Sequence, residues 1–132
     1  MKPFELIGLP YRLGAIPDVH GAGDCYSVAA HVIRYLRLDA PRPTRDWYKR
    51  VRRGDHNVFR EELERWGTEI DTPRLGSVAL CSAGDGRYGL AVYYENGWLS
   101  YVGSAVKWSP LDALPVVGCY FPQKHNSAMQ LG

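Results

Sequence analysis

Gly21-Ala22-Gly23-Asp24-Cys25-Tyr26-Ser27-Val28-Ala29-Ala30-His31-Val32-Ile33-Arg34-Tyr35-Leu36-Arg37 is a glycine-loosened loop that runs straight into an amphipathic helix. Cys25, Val28, Ala29, Val32, Ile33 and Leu36 recur at helical spacing, which predicts one buried stripe, with Ser27, His31 and Arg34 on the wet side. Asp24 is placed as the N-cap, its carboxylate accepting from free N–H groups of the first turn. Cys25 then stands at the positive end of the helix. There the peptide dipoles favour thiolate over thiol, so a pKa below the ordinary value of about 8.5 is expected, and with it a better nucleophile. A small buried cysteine closing a core stripe is the other reading of the same position.

Working outward, the 132 residues suit a single domain with a proper core, expected over 1–122, with a patternless tail at 123–132. Three cysteines, Cys25, Cys81 and Cys119, are an odd number without metal-like spacing, against both a disulfide framework and a zinc site. No cofactor and no metal are therefore expected. A reducing cytoplasm is the expected compartment, since no apolar run precedes a small-residue cleavage site and no stretch approaches the ~20 apolar residues that span a bilayer. A net charge of +2 nominates no partner by itself.

Upstream, Phe4 to Gly14 reads as a turn-rich lead-in lying over the domain. Downstream, Pro41 and Pro43 end the central helix, and a short basic helix follows over Arg45 to Arg53. Asp55 is expected to cap a further helix with Phe59, Leu63 and Trp66 on one face, Glu61 paired with Arg65, and Gly67 as its stop. From Thr68 the pattern changes to period two. Strands are expected near Ser77 to Ser82, Arg87 to Tyr94, Trp98 to Val102 and Val116 to Phe121, with a short one at Ala105 to Trp108. Gly84-Asp85-Gly86 and Glu95-Asn96-Gly97 mark two hairpin turns. Helices first and a meander of strands afterwards imply an α+β domain, the helices packed on one face of an antiparallel sheet.

The basic cluster Arg42, Arg45, Lys49, Arg50, Arg52 and Arg53, with Trp47 and Tyr48 interleaved, has the composition of a nucleic-acid patch. A solvated helix face with its aromatics turned inward is the plainer reading, given the near-neutral charge. The same patch could dock an acidic neighbouring protein.

Leu6-Ile7-Gly8-Leu9-Pro10-Tyr11-Arg12-Leu13-Gly14 followed by Gly23-Asp24-Cys25 at a helix start resembles the front half of NlpC-type cell-wall cysteine peptidases, with the phage-tail branch the best match. Leu75-Gly76-Ser77-Val78-Ala79-Leu80 is similar to that family's strand entry, and Leu90-Ala91-Val92-Tyr93-Tyr94-Glu95-Asn96-Gly97 to its central hairpin. Ala105 to Leu111 and Gly118 to Pro122 are similar to its closing segments. The resemblance implies a papain-like fold whose members cut peptide bonds in peptidoglycan stems with a cysteine, a histidine and a third polar residue. Cys25 matches the nucleophile. The histidine position falls at Gly89 and the third position near Tyr101, while Ser77 stands where an Asp is common. Tyr11, Asp24, Tyr26 and Tyr88, flanking these positions, are the candidate binding residues.

Glycine can neither hold a thiolate nor protonate a leaving amine, and loss of a triad member lowers turnover by about 10^4 or more. Tyr88, with a reference pKa near 10, is a poor replacement base at neutral pH. Of the histidines, His20 on the loop before Cys25 is the candidate substitute. His31 lies roughly 600° and about 9 Å along the helix and points elsewhere. His56 and His125 are expected to be solvated. Three functions follow: a catalytically silent peptidase-fold protein serving as a structural or binding component, such as of a phage tail or virion; a peptidoglycan endopeptidase using Cys25 with His20; and a nucleic-acid or assembly module using the basic helix.

Overall fold

The computed structural model describes residues 1–44 and 46–122. Arg45 and the tail expected at 123–132, with His125, lie outside the described residues. A 3-10 turn over Pro3–Leu6 is followed by α1 (Pro17–His20), α2 (Cys25–Tyr35), α3 (Trp47–Arg52) and α4 (Asn57–Trp66). Then come β1 (Thr68–Glu69), β2 (Val78–Gly84), β3 (Arg87–Tyr93), β4 (Gly97–Val102), β5 (Ala105–Pro110) and β6 (Val116–Phe121). The strands form one antiparallel sheet in the order β1-β6-β2-β3-β4-β5. The α+β class and the antiparallel meander are as the sequence predicts. The insertion of β6 between β1 and β2 is not a feature that hairpin turns could reveal.

Local chemistry accounts for the joints. Asp24 caps α2 as expected, its Oδ1 accepting from Ser27 N–H at 2.8 Å, while Ser27 Oγ accepts from Asp24 N–H at 2.9 Å. The β3–β4 turn holds Glu95 and Asn96 at φ 54° and 59°, the two consecutive left-handed residues of a type I′ hairpin. Gly97 follows because a Cβ there would run into the Trp108 ring.

Alternation gives the sheet two dry faces. Val78, Leu80, Leu90, Val92 and Leu99 point to the helix layer, where Val32 and Ile33 of α2 and Leu63 of α4 meet them. Ala79, Ala91, Trp98 and Cys119 point the other way, into a smaller cluster that Leu114 helps to close. The Trp98 indole N–H donates to Leu111 O at 3.0 Å and so pins the β5–β6 loop across that face. The lead-in segment closes the other end of the sheet. Gly8 N–H donates to Val106 O at 2.8 Å, and Val106 N–H to Leu9 O at 3.2 Å.

Several local expectations give way. The N-cap position of α4 is His56, one residue after Asp55, whose carboxylate meets the Asn57 main-chain N–H at the helix start but chiefly takes Arg50 Nε at 2.8 Å. Glu61 also binds Arg50, through both carboxylate oxygens at 2.6 and 2.8 Å, and Arg65 turns to Glu62 at 2.7 Å. A fork of two donors outcompetes the single-turn pair because planar guanidinium and carboxylate match. His31 is buried rather than wet: its Nε2 lies 2.7 Å from Met1 O and its Nδ1 3.3 Å from Asp18. The lead-in and α1 cover that face of α2, which helical periodicity within α2 alone could not show.

Candidate functional site

Cys25 is the first residue of α2, half-buried, and the main-chain N–H groups of Leu90, Cys25 and Tyr26 all act to lower its pKa. Burial of the sulfur and the Asp24 carboxylate act the other way and win, pushing the thiol up to about 12. The expectation of a lowered pKa is thus overturned. The helix end is present, but the same residue that caps it places a negative charge beside the sulfur.

A pH dependence follows. The native thiol holds its proton from its ordinary value, near 9, up to about 12, where the unfolded chain has lost it. The native state therefore binds more protons, and stability falls as pH rises through that window. Urea melts from pH 8 to 11 are expected to show a declining midpoint that is shallower in Cys25→Ser; equal slopes would show that this thiol does not titrate differently on folding.

β3 and β4 part company beside the sulfur. They pair from Tyr93↔Trp98 to Ala91↔Ser100, after which β4 continues along β5 alone. Tyr94 N–H points toward β4, donating to Gly97 O, so alternation sends the N–H groups of Leu90 and Tyr88 into the same seam. The Tyr88 N–H donates to His56 Nδ1 at 2.9 Å. In neutral His56 the proton then sits on Nε2; a proton on Nδ1 would face Tyr88 O at 3.2 Å. A cavity of about 520 Å³ opens here, walled by Tyr11, Cys25, Arg52, His56, Tyr88 and Tyr101. Tyr11 and Tyr101 meet edge to face at 5.3 Å, and Tyr101 O–H donates to Pro10 O at 3.1 Å. Burial and then Asp24 raise the Tyr101 phenol to about 12, so it is a donor and no base.

No protein-family model matches this chain, and no curated protein does.

The remaining candidates are distributed unevenly. His20 ends α1, exposed, with Nδ1 accepting from Ile16 N–H at 2.9 Å, and it does not line the Cys25 cavity. The short helix spends its ring nitrogen on its own first turn. His56, expected to be solvated, shares the cavity with Cys25 instead, although no hydrogen bond joins the two among the described residues. Only the unforeseen register of β3 against the α3–α4 turn brings it there. Tyr26 lies in the core, its O–H donating to Glu62 at 3.2 Å, and lines a different groove. Asp24 is buried as a cap, and Oδ2 also accepts from Gly14 N–H at 2.8 Å.

Gly89 pairs with Cys81, whose side chain packs in the outer cluster. A side chain at 89 would therefore start toward that face, and a Cβ there meets nothing within 4 Å. A smaller cavity of about 240 Å³ lies on that side, and Ser100 Oγ on its wall is buried with no hydrogen-bond partner among the described residues. Of the basic patch, Arg50 is locked to Asp55 and Glu61, Lys49, Arg52 and Arg53 are exposed, and Arg45 is outside the described residues. Trp47 is buried and Tyr48 half-buried, so the aromatics turn inward and form no stacking platform. Among the described residues no group of His, Cys, Asp or Glu could hold a metal ion, and no helix is long and apolar enough to cross a membrane.

Proposed function

We propose that this chain has a papain-like, NlpC-type fold that has lost its base, and that it serves as a catalytically silent peptide-binding component of a larger assembly, such as a phage tail. The single observation that carries the reading is a cysteine at a helix N-terminus, in an aromatic-walled cavity, whose thiol keeps its proton to about 12. Nucleophilic catalysis needs the thiolate and an imidazole to return a proton to the leaving amine. Gly89 offers neither. Three tyrosines and Phe59 around the cavity supply contact surface for a peptide without requiring chemistry.

A working cysteine hydrolase is the second reading, favoured by one observation: His56 lines the same cavity as Cys25. His56, not His20, would then be its base.

The two readings separate in one experiment. Purified protein incubated with peptidoglycan is expected to release no peptide. Alkylation of Cys25, mapped by mass spectrometry, should accelerate about tenfold per pH unit from pH 7 to 10 without a plateau, as for a thiol far below its pKa. Peptide release abolished by both Cys25→Ala and His56→Ala, with alkylation levelling off below pH 8, would overturn the silent reading.

A further inference from the structure

A second groove, larger than the first, runs beside α2 and shares no lining residue with the Cys25 cavity. Its volume is about 690 Å³. Tyr26 and Ala30 of α2 and Tyr48 of α3 form its apolar floor, the connector Pro41-Arg42-Pro43 forms one wall, and Arg34 stands one turn beyond Ala30. Arg34 and Arg42 are exposed, and among the described residues they are the only ionic side chains lining the groove. Neither guanidinium has an ion pair or hydrogen bond among the described residues.

Three of the chain's acids already have partners. Glu62 accepts from Tyr26 O–H, Thr44 N–H and Arg65. Asp18 faces His31, and Asp24 holds Ser27 and Gly14. Two guanidinium groups without an ion pair among the described residues stand over an apolar floor and make a local positive potential. The connector is stiff, because each proline fixes its own φ, so the wall is set before any ligand arrives.

We infer that this groove binds an acidic peptide segment of a partner protein, with carboxylates forked onto Arg34 and Arg42 and an apolar side chain against Tyr26, Ala30 and Tyr48. Arginine suits carboxylate because its planar fork pairs both oxygens at once. Of the hydroxyls lining the groove, Tyr26 O–H goes to Glu62 and Ser27 Oγ to the cap of α2, which leaves the Tyr48 phenol alone to read a nucleobase among the described residues. An apolar floor with charge only at the rim therefore favours a peptide over a nucleotide. It also gives the sequence's basic cluster a site through Arg42, away from the inward-turned Trp47. The inference is independent of whether Cys25 reacts.

The test is a two-dimensional ¹⁵N–¹H titration of the full chain with acetyl-Glu-Leu-Glu-Phe-Glu-amide, against acetyl-Lys-Leu-Lys-Phe-Lys-amide and adenosine monophosphate. The acidic peptide alone should give saturable shifts at the amides of Ala30, Arg34, Arg42 and Tyr48. Affinity should weaken by about tenfold or more in Arg34→Gln/Arg42→Gln, consistent with loss of two charge-assisted contacts. Both positions are exposed, so the variant's spectrum should keep its dispersion. Cys25→Ala should leave the shifts unchanged, and peptide release from peptidoglycan would not alter them. No saturable shift at these amides, equal response to the basic peptide, tighter binding of the nucleotide, or unchanged affinity in the double variant would each overturn the inference.

Discussion

Trp47→Ala is expected to destabilise the fold by about 3–5 kcal/mol, the ordinary cost of deleting a large buried aromatic. Trp47 is 1 % exposed and forms the hinge of three helices. From α3 its ring meets Tyr26 of α2 at 4.9 Å and Phe59 of α4 at 4.7 Å, both edge to face. α3 is six residues long and cannot hold itself in water, so this indole is what docks it. Domains of this size have stabilities of only about 5–15 kcal/mol, and the variant should lose a large part of that margin. Urea unfolding followed by far-UV circular dichroism measures it. Trp47→Phe should cost much less, because phenyl keeps both ring contacts and removes an indole N–H that has no partner among the described residues. A loss below about 1 kcal/mol in Trp47→Ala would mean that α3 is not anchored through this ring. The effect reaches the Cys25 cavity as well, since Val51 and Arg52 of α3 form part of its wall.

Asp24→Ala should produce the second large effect, and on two observables at once. The carboxylate accepts Ser27 N–H and Gly14 N–H, each at 2.8 Å. Loss of the cap costs about 0.5–2 kcal/mol, and the bond to Gly14 adds about 1 more. The same charge acts on its neighbours in the other sense: after burial, it raises the Cys25 thiol and the Tyr101 phenol. Removing it should lower the thiol pKa even as the protein becomes less stable. Asp24→Asn separates the two roles, because an amide oxygen can keep one of the N–H bonds while the charge is gone. Both variants should show Cys25 alkylation accelerating at lower pH than in the parent protein. If Asp24→Asn left the pH profile where it was, desolvation alone would be holding the proton on the sulfur.

Much of this architecture could be read from residue order. The stripe from Val28 to Ile33, the cap at Asp24 and the paired left-handed residues at Glu95 and Asn96 are local signals, and each forms as its own sequence directs. What escaped was non-local. His56 reaches the Cys25 cavity only because its Nδ1 meets the Tyr88 main chain, a partner 32 residues away that leaves no periodic trace. His31 sits on a polar stripe of α2 and is buried by Met1 and Asp18, which lie elsewhere in the chain. The sulfur's proton affinity was misjudged for a different reason: a capping carboxylate and a helix dipole pull in opposite directions, and the outcome depends on how deeply the sulfur lies.

The interior position of β6 bears on how the chain reaches its native state. Its partners on either side, β1 and β2, precede it by dozens of residues, so the β1–β6–β2 side of the sheet cannot be completed until nearly all of the domain has been synthesised. Until then two strand edges remain unsatisfied and able to pair with other chains. Such remote pairing also slows closure. A ribosome-bound fragment ending in the β5–β6 loop should therefore be the aggregation-prone species, whereas in the complete sheet β6 fills the gap between β1 and β2.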